Sequence, residues 1–370
     1  MHTLPHLLTL PPRVVAKPGA IATLLTECQS FGARGMLVHG RSLASHGALA
    51  RILDACPENL TVNTWTHPGG EPTLDQLEAA LTAARACRAE WIAAVGGGSV
   101  MDIGKACAGL LAAPLPAAAY HDGAPIPHTR IPFVAAPTTA GTGGEATTVA
   151  VLTNARLGLK KSIRHPSFIP RVVILDADLL AGCPPQVVAW SGMDAFVQAV
   201  ESFVSKGATW FSDTLALAAI RMIDRALVPV FRGGTGEATQ QLLEGGFLAG
   251  LALSHARLGL VHGLAHPLGL RYHAAHGLVC AVCLPPVIAF NRPAAEEKYA
   301  VLDNLLGRDV ADHVQSMLSA LQIVSPFRGQ RLVDRDAIIA ETLASGSTAA
   351  NPRPVTAADV SIMLDAVFAP

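Results

Sequence analysis

The first half of the chain alternates short apolar runs with stretches of helical period. Runs at Arg13–Lys17, Gly35–His39, Leu60–Trp65, Trp91–Val95, Ile131–Ala136, Val149–Thr153 and Val172–Leu175 are short and apolar, as buried strands are. Between them, Ala20–Phe31, the run to Ala55 and Leu74–Cys87 carry apolar residues on one helical face. This alternation predicts a parallel α/β sheet containing all the strand runs. After Asp178 the strand-like runs stop. Gln186–Val204, Thr214–Val230, Ala238–His255, Gly277–Phe290, Ala295–Leu306, Ala311–Leu321 and Ala358–Val367 all read as helices. The pattern predicts an α/β domain over residues 1–178 and an all-helical domain over 179–370.

Two loops in the first half interrupt this pattern with small polar residues. Gly96-Gly97-Gly98-Ser99 follows a strand and opens a helix running through Lys105. Three glycines at a helix N-terminus let backbone N–H groups approach an anion closely. Pro137–Glu145 follows the next strand and carries Thr138, Thr139 and Thr142. Two anion loops after two strands suit the two ends of a pyrophosphate or dinucleotide. Lys160 and Lys161 lie nearby in sequence, where a lysine could reach a phosphate or ribose.

The second half carries its polar residues inside apolar helices. Five of the fourteen histidines fall in Ser254–Gly277: His255, His262, His266, His273 and His276. Buried imidazole needs a hydrogen-bond partner or a metal. His262 and His266 share a helix face, Pro267 and Gly269 are expected to interrupt or end that segment, and His276 follows a short turn later. Asp194 and Gln198 share a face of the first helix of this domain. Asp194, Gln198, His262 and His276 together offer one anionic oxygen, one neutral oxygen and two nitrogens, a metal-site or proton-relay set. The structural alternative is a group of core histidines and a helix–helix hydrogen bond.

Composition narrows the classes. The 370 residues are 51% hydrophobic and 15% charged, with mean hydropathy +0.39 and net charge −1. That supports large cores and gives nucleic acid no electrostatic footprint. The N-terminus, MHTLPHLLTLPPR, lacks the basic start of a signal peptide. The weakly apolar run Gly245–Leu270 contains His255, Arg257, His262 and His266, which argues against a membrane span. Seven scattered cysteines suggest reduced thiols and a cytoplasmic protein. Cys280 and Cys283 have no second pair to complete a zinc knuckle and are read as packing within one element.

Five segments resemble the iron-containing, or group III, alcohol dehydrogenases: GGGSVMD at 96–102, PTTAGTGGEAT at 137–147, KSIRHPSFIPRVVILDADL at 161–179, GMDAFVQAVES at 192–202 and HGLAHPLGLRYHAAHG at 262–277. The resemblance runs from about Arg13 to the C-terminus. It implies a dinucleotide-binding α/β domain, an all-helical domain of the dehydroquinate-synthase-like kind, and an active site in the cleft between them. It places a nicotinamide cofactor on Gly96, Gly97, Gly98 and Ser99, with Asp102 closing that motif, and on Thr138, Thr139, Thr142 and Lys161. It implies a metal, Fe²⁺ or Zn²⁺, held at Asp194, His262 and His276, and a proton-relay role for His266. The implied reaction is hydride transfer between nicotinamide and a small aldehyde or ketone, with a homodimer as the implied assembly.

Two departures from that family change the expectation. The family's second metal ligand, a histidine, is Gln198 here, and a neutral amide oxygen is a weaker ligand than imidazole. Metal affinity is therefore expected to fall, and the alternative is a metal-free enzyme, as the resemblance to the maleylacetate reductases allows, with protonated His262, His266 or His276 of this chain supplying the charge. The strand Gly35–His39 ends in Gly40, Arg41 and Ser42, where many relatives that use NAD carry an aspartate. Losing that carboxylate favours NADPH over NADH. Gly144 replaces a usual serine and Glu71 a usual asparagine. Tyr272 and His273, with Arg271, are candidate substrate contacts. A non-redox carbon–heteroatom enzyme and a non-catalytic nucleotide-binding protein are the rival functions.

Overall fold

The computed structural model describes residues 3–369; Met1, His2 and Pro370, which the two predicted domain spans include, lie outside it. Six strands form one parallel sheet: β1 (Val14–Ala16), β2 (Arg34–Gly40), β3 (Thr61–His67), β4 (Trp91–Gly96), β5 (Phe133–Pro137) and, late in the chain, β8 (Val172–Leu175). Their order is β1-β8-β5-β4-β2-β3. The glycine loop after β4 and the threonine loop after β5 thus leave the carboxyl ends of adjacent central strands.

One predicted strand lies elsewhere. Val149–Thr153 does not continue the sheet. It forms β6 (Val149–Asn154), which pairs antiparallel with β7 (Leu159–Arg164), a strand absent from the sequence reading. A turn at Asn154–Leu159 closes this hairpin, with Gly158 at φ +59°. Strand period alone cannot say which sheet a strand joins.

Helices α1 (Leu24–Gln29), α2 (Arg41–Ser45), α3 (Ala48–Asp54), α4 (Leu74–Ala86), α5 (Gly98–Leu110) and α6 (Ala117–His121) belong to the sheet half. Alternation in β8 couples the two halves. Val172 and Ile174 pack into the core on one face of the sheet, whereas Val173 and Leu175 pack into the helical core. A 3-10 turn at Ala177–Leu180 follows, and the helices begin.

These are α7 (Pro185–Val204), α8 (Trp210–Phe231), α9 (Glu237–Ala256), α10 (Leu260–Tyr272), α11 (His276–Asn291), α12 (Glu296–Leu306), α13 (Val310–Ala320), α14 (Arg335–Ala344) and α15 (Ala357–Val367). Arg257, at φ +69°, breaks the chain between α9 and α10, which bend by 107°. Pro267 does not end the histidine segment: α10 continues through it to Tyr272. Its N-terminal part is buried, and Gly263 abuts Thr348, where a Cβ would meet the hydroxyl oxygen at 2.0 Å. Tertiary packing outweighs the one backbone hydrogen bond that proline forfeits.

Candidate active site

The cradle after β4 is built from backbone. Gly97 is extended and caps α5, so the first N–H groups of that helix face outward. A Cβ at Gly98 would meet Thr142 Cγ2 at 2.7 Å, and one at Gly97 would meet Thr139 at 3.5 Å. The close packing of the two loops therefore depends on the missing side chain at Gly98, whereas Gly97 would leave room for one. The Thr138 N–H donates to the Gly96 carbonyl at 3.0 Å, joining the loops again. Gly40, Arg41, His67, Gly97 and Ser99 line an open cleft of about 230 Å³ beside this cradle. A Cβ at Gly40 would meet nothing closer than 3.7 Å. Ser42 is exposed on α2, one residue past Arg41.

Lys105 secures the far side of the threonine loop. It is fully buried, and its Nζ donates to the carbonyls of Gly144, Thr147 and Val149 and to Thr147 Oγ1. Burial pushes its pKa down, while the nearby Asp102 and Glu145 push it up. Burial also pushes the Asp102 and Glu145 carboxyls up, against the pull of Lys105. Gly144 serves here through its carbonyl, and a Cβ would come within 3.3 Å of Met101.

Strand register separates the two lysines. Lys161 lies opposite Leu152 on β6 and is exposed. Lys160 points to the other side, pairs with Glu71 at 2.5 Å, and lies close enough for its charge to act on Asp102, His266 and His276. Strand alternation thus turns Lys160, rather than Lys161, toward Asp102 and the histidines, and gives Glu71 a partner.

The threonine loop also touches the helical half. A Cβ at Gly143 would meet Gly250 Cα at 2.5 Å and Gln198 Oε1 at 3.7 Å. Gln198 thereby lies at the junction between cradle and histidines. Its Oε1 is buried and has no hydrogen-bond partner.

Three helices assemble the histidine cluster. Asp194, Gln198 and Glu201 fall on one side of α7 at intervals of four and three residues, and all three are buried. Gly259, ahead of α10, lets Glu201 approach; a Cβ there would meet Glu201 Oε1 at 2.8 Å. The Val261 N–H at the start of α10 donates to Glu201 Oε1 at 2.6 Å, and His262 Nδ1 lies 2.7 Å from Oε2. Carboxylate and helix N-terminus are complementary, and His262 Nε2 is left to face Asp194 Oδ1 at 3.3 Å. Gly277 does the same for α11. A Cβ there would meet the Trp190 carbonyl at 2.1 Å, so only glycine seats His276 with Nε2 3.8 Å from Asp194 Oδ1.

His266 stacks on His276 with centroids 5.1 Å apart and the rings 20° from parallel. Its buried Nδ1 has no partner, and neither has Asp194 Oδ1 a bond of hydrogen-bonding geometry, despite the nearby imidazoles. Cys280 also enters the cluster, one turn after His276, with Sγ 3.6 Å from His276 Nε2 and 3.8 Å from His262 Nε2. Cys280 and Cys283 both lie in the apolar core of the helical half, but only Cys280 also has these imidazole neighbours.

Burial opposes charge throughout the cluster. It pushes the Asp194 carboxyl up, but His276 and His262 outweigh it and hold the group below the usual carboxylate range. Burial also works against a proton on His262, yet Cys280, Asp194 and Glu201 together hold it well above the ordinary histidine range. Burial and the neighbouring His276 keep His266 well below that range, and burial lowers His276 to about 4 against the pull of Asp194. The arrangement can hold one cation, either a metal ion or a proton on His262, between carboxylates.

Two candidate substrate residues are committed elsewhere. The Tyr272 hydroxyl donates to the Arg331 carbonyl and accepts from the Val333 N–H, both at 2.9 Å, while its ring packs on Phe327 and Phe368. Arg271 forms an ion pair with Glu341. His273, in the left-handed region at φ +50°, caps α10 and is exposed. His255 is a structural histidine: its ring nitrogens lie at the Leu251 carbonyl and the Thr9 N–H.

The chain matches known proteins along nearly its whole length. The iron-containing alcohol dehydrogenase family matches residues 11–177, and the C-terminal region of the Fe-containing alcohol dehydrogenase family matches residues 188–368. The probable alcohol dehydrogenase EutG of Escherichia coli is 33% identical over 88% of this chain and 84% of its own length. An iron-containing alcohol dehydrogenase from Thermococcus thioreducens superposes with a TM-score of 0.90 at 27% identity, covering 98% of this chain and 99% of that one. Sulfoacetaldehyde reductase from Bifidobacterium kashiwanohense, solved with NAD⁺, gives 0.89 at 27% identity over 97% of this chain and 98% of its own. With both halves matched and the sheet, cradle and histidine cluster in one frame, the chain belongs to the iron-containing alcohol dehydrogenase family and is an oxidoreductase that acts on CH–OH groups by hydride transfer between alcohol and aldehyde.

Proposed function

We propose that this enzyme is an NADPH-preferring reductase of small aldehydes that uses a divalent metal. The observation carrying the cofactor choice is the end of β2. Gly40 offers no carboxylate to ribose hydroxyls, and Arg41 borders the cleft beside the glycine cradle. An arginine there pairs with a 2′-phosphate, and the missing carboxylate removes the repulsion. The packed glycine and threonine loops suit a pyrophosphate, and Lys160, paired with Glu71, adds positive charge on the side of Asp102 and His266.

The unsatisfied buried oxygen of Asp194, facing two imidazole nitrogens, fits a divalent cation. Asp194, His262 and His276 would hold it, and Glu201 fixes the His262 ring so that Nε2 is presented. Bound nicotinamide supplies the hydride and a bound metal the Lewis acidity that polarises a carbonyl oxygen. His266, stacked beside His276 with a free Nδ1, carries the proton between alkoxide and solvent. His273, exposed at the end of α10, is left as a candidate substrate contact. The metal-free alternative keeps the same cluster and places a proton on His262 between Asp194 and Glu201.

A cytoplasmic homodimer is part of this reading. All seven cysteines are free, and the edge strand β1 follows a segment with exposed Leu7, Leu8 and Leu10, an apolar edge that a second copy would cover. The test is a comparison of NADPH and NADH as reductants of a panel of small aldehydes. NADPH is expected to give the higher kcat/KM, and Gly40→Asp, which has room for its side chain, is expected to shift the ratio towards NADH by about tenfold, about 1.4 kcal/mol. An NADH preference in the wild type contradicts the assignment.

A further inference from the structure

We infer that Cys280, and not Gln198, supplies the fourth metal donor, and that the resulting carboxylate–imidazole–imidazole–thiolate set selects zinc over ferrous iron. The inference rests on the metal reading above and concerns this chain's own donors. Asp194, His262, His276 and Cys280 each offer one atom, and these four atoms lie within 4.8 Å of one another. The separations that can be read are 3.3 Å from His262 to Asp194, 3.8 Å from His276 to Asp194, 3.6 Å from Cys280 to His276 and 3.8 Å from Cys280 to His262. Bonds of about 2.0–2.2 Å to nitrogen and oxygen and about 2.3 Å to sulfur give a tetrahedron with edges of about 3.3–3.6 Å. Four of the six edges are thus within about half an ångström of that geometry, and the remaining two are no longer than 4.8 Å.

Two further observations point to a ligand rather than a packed thiol. Asp194, buried at 3% exposure, leaves Oδ1 without a hydrogen-bond partner although two imidazoles and the thiol surround it. A carboxylate oxygen buried among ring nitrogens is costly unless a cation joins them. Glu201 meanwhile occupies His262 Nδ1, so Nε2 is the nitrogen directed at Asp194 and Cys280. Cys280 reaches the cluster because it lies four residues after His276 on α11, on the same face. Gln198, one turn after Asp194 on α7, also leaves a buried Oε1 without a partner, but that oxygen lies at the threonine loop, 3.7 Å from where a Cβ on Gly143 would stand, and as a neutral amide it brings no charge to a cation.

The consequence is a change of metal. Thiolate is a soft ligand that suits zinc, whereas replacing imidazole by amide weakens a site for ferrous iron. Cys280 binds as thiolate, its proton passing to solvent, which adds the negative charge that Gln198 lacks.

The test uses metal-stripped full-length protein titrated with Co²⁺. A thiolate-to-cobalt charge-transfer band in the near ultraviolet is expected. Cys280→Ser should lose that band and bind Zn²⁺ at least tenfold more weakly, while Gln198→Ala keeps both. The double variant Cys280→Ser, Gln198→His should regain zinc affinity without the band. In anaerobic competition between equal Zn²⁺ and Fe²⁺, the preference for zinc should be at least tenfold greater in the wild type than in Cys280→Ser, and an equal preference in the two would overturn the selectivity. If Co²⁺ binds with no charge-transfer band, Cys280 is not a ligand and the inference falls, while the metal reading stands; the wild-type spectrum decides this even if a variant fails to fold. If neither Co²⁺ nor Zn²⁺ binds, the metal reading itself fails and this inference with it.

Discussion

The cradle and the histidine cluster are built on opposite principles. The cradle uses backbone: Gly98 succeeds by having no side chain, and Thr142 fills the space its Cβ would take. The cluster uses side chains from α7, α10 and α11, positioned by glycines that hold no ligand themselves, Gly259 and Gly277. A backbone site is local, because strand, loop and helix start follow one another in the chain. A side-chain site depends on how three helices dock. Damage to the first should therefore appear in cofactor binding, and damage to the second in metal affinity and turnover.

The largest effect is expected at Asp194. Asp194→Asn keeps the shape but removes the charge facing His262 and His276. It should lower kcat/KM by about 10³-fold with cofactor KM unchanged, as measured by steady-state kinetics. A parallel rise in cofactor KM would erase the distinction between the two regions.

Glu201→Gln comes next. The Val261 N–H retains an acceptor, but the His262 ring loses its anionic partner. Metal affinity should fall by roughly 10- to 100-fold in a chelator competition, with the fold intact by circular dichroism.

In the cradle, Gly98→Ala sets a Cβ 2.7 Å from Thr142 Cγ2. Cofactor Kd should rise by roughly tenfold, about 1.4 kcal/mol, with metal content unchanged. Tyr272→Phe lies outside both regions and should disturb neither. It removes two hydrogen bonds between α10 and the segment at Arg331–Val333. Stability should drop by about 1–2 kcal/mol in denaturant unfolding, with substrate KM unaltered.

The same division explains what could be read from the chain. The glycine and threonine loops were legible because each is contiguous and follows a short apolar strand. The meeting of Asp194 with the histidines followed from the cost of burying charge among apolar residues. Glu201 and Cys280 carried the same signal: Glu201 lies seven residues after Asp194 and Cys280 four after His276, each on the face of a residue already singled out. The distinction between Lys160 and Lys161 was not legible, because one residue of register turns a strand side chain to the other face, and the β6–β7 hairpin was not foreseen. Tyr272 and Arg271 misled for a related reason. Proximity to the histidines in sequence says nothing about Arg331, Val333 or Glu341, which claim them from distant segments. Pro267 shows the limit of local rules, since α10 passes through it.

The cluster of Asp194, His262 and His276 is proposed to work as a metal site in an aldehyde-reducing enzyme. The most direct test is metal content, together with aldehyde-dependent NADPH oxidation, before and after a strong chelator. A metal site here should give about one divalent ion per chain, loss of activity when it is stripped, and recovery when Zn²⁺ is returned. Undiminished turnover of metal-stripped protein would contradict it and assign the work to a protonated His262 held between Asp194 and Glu201.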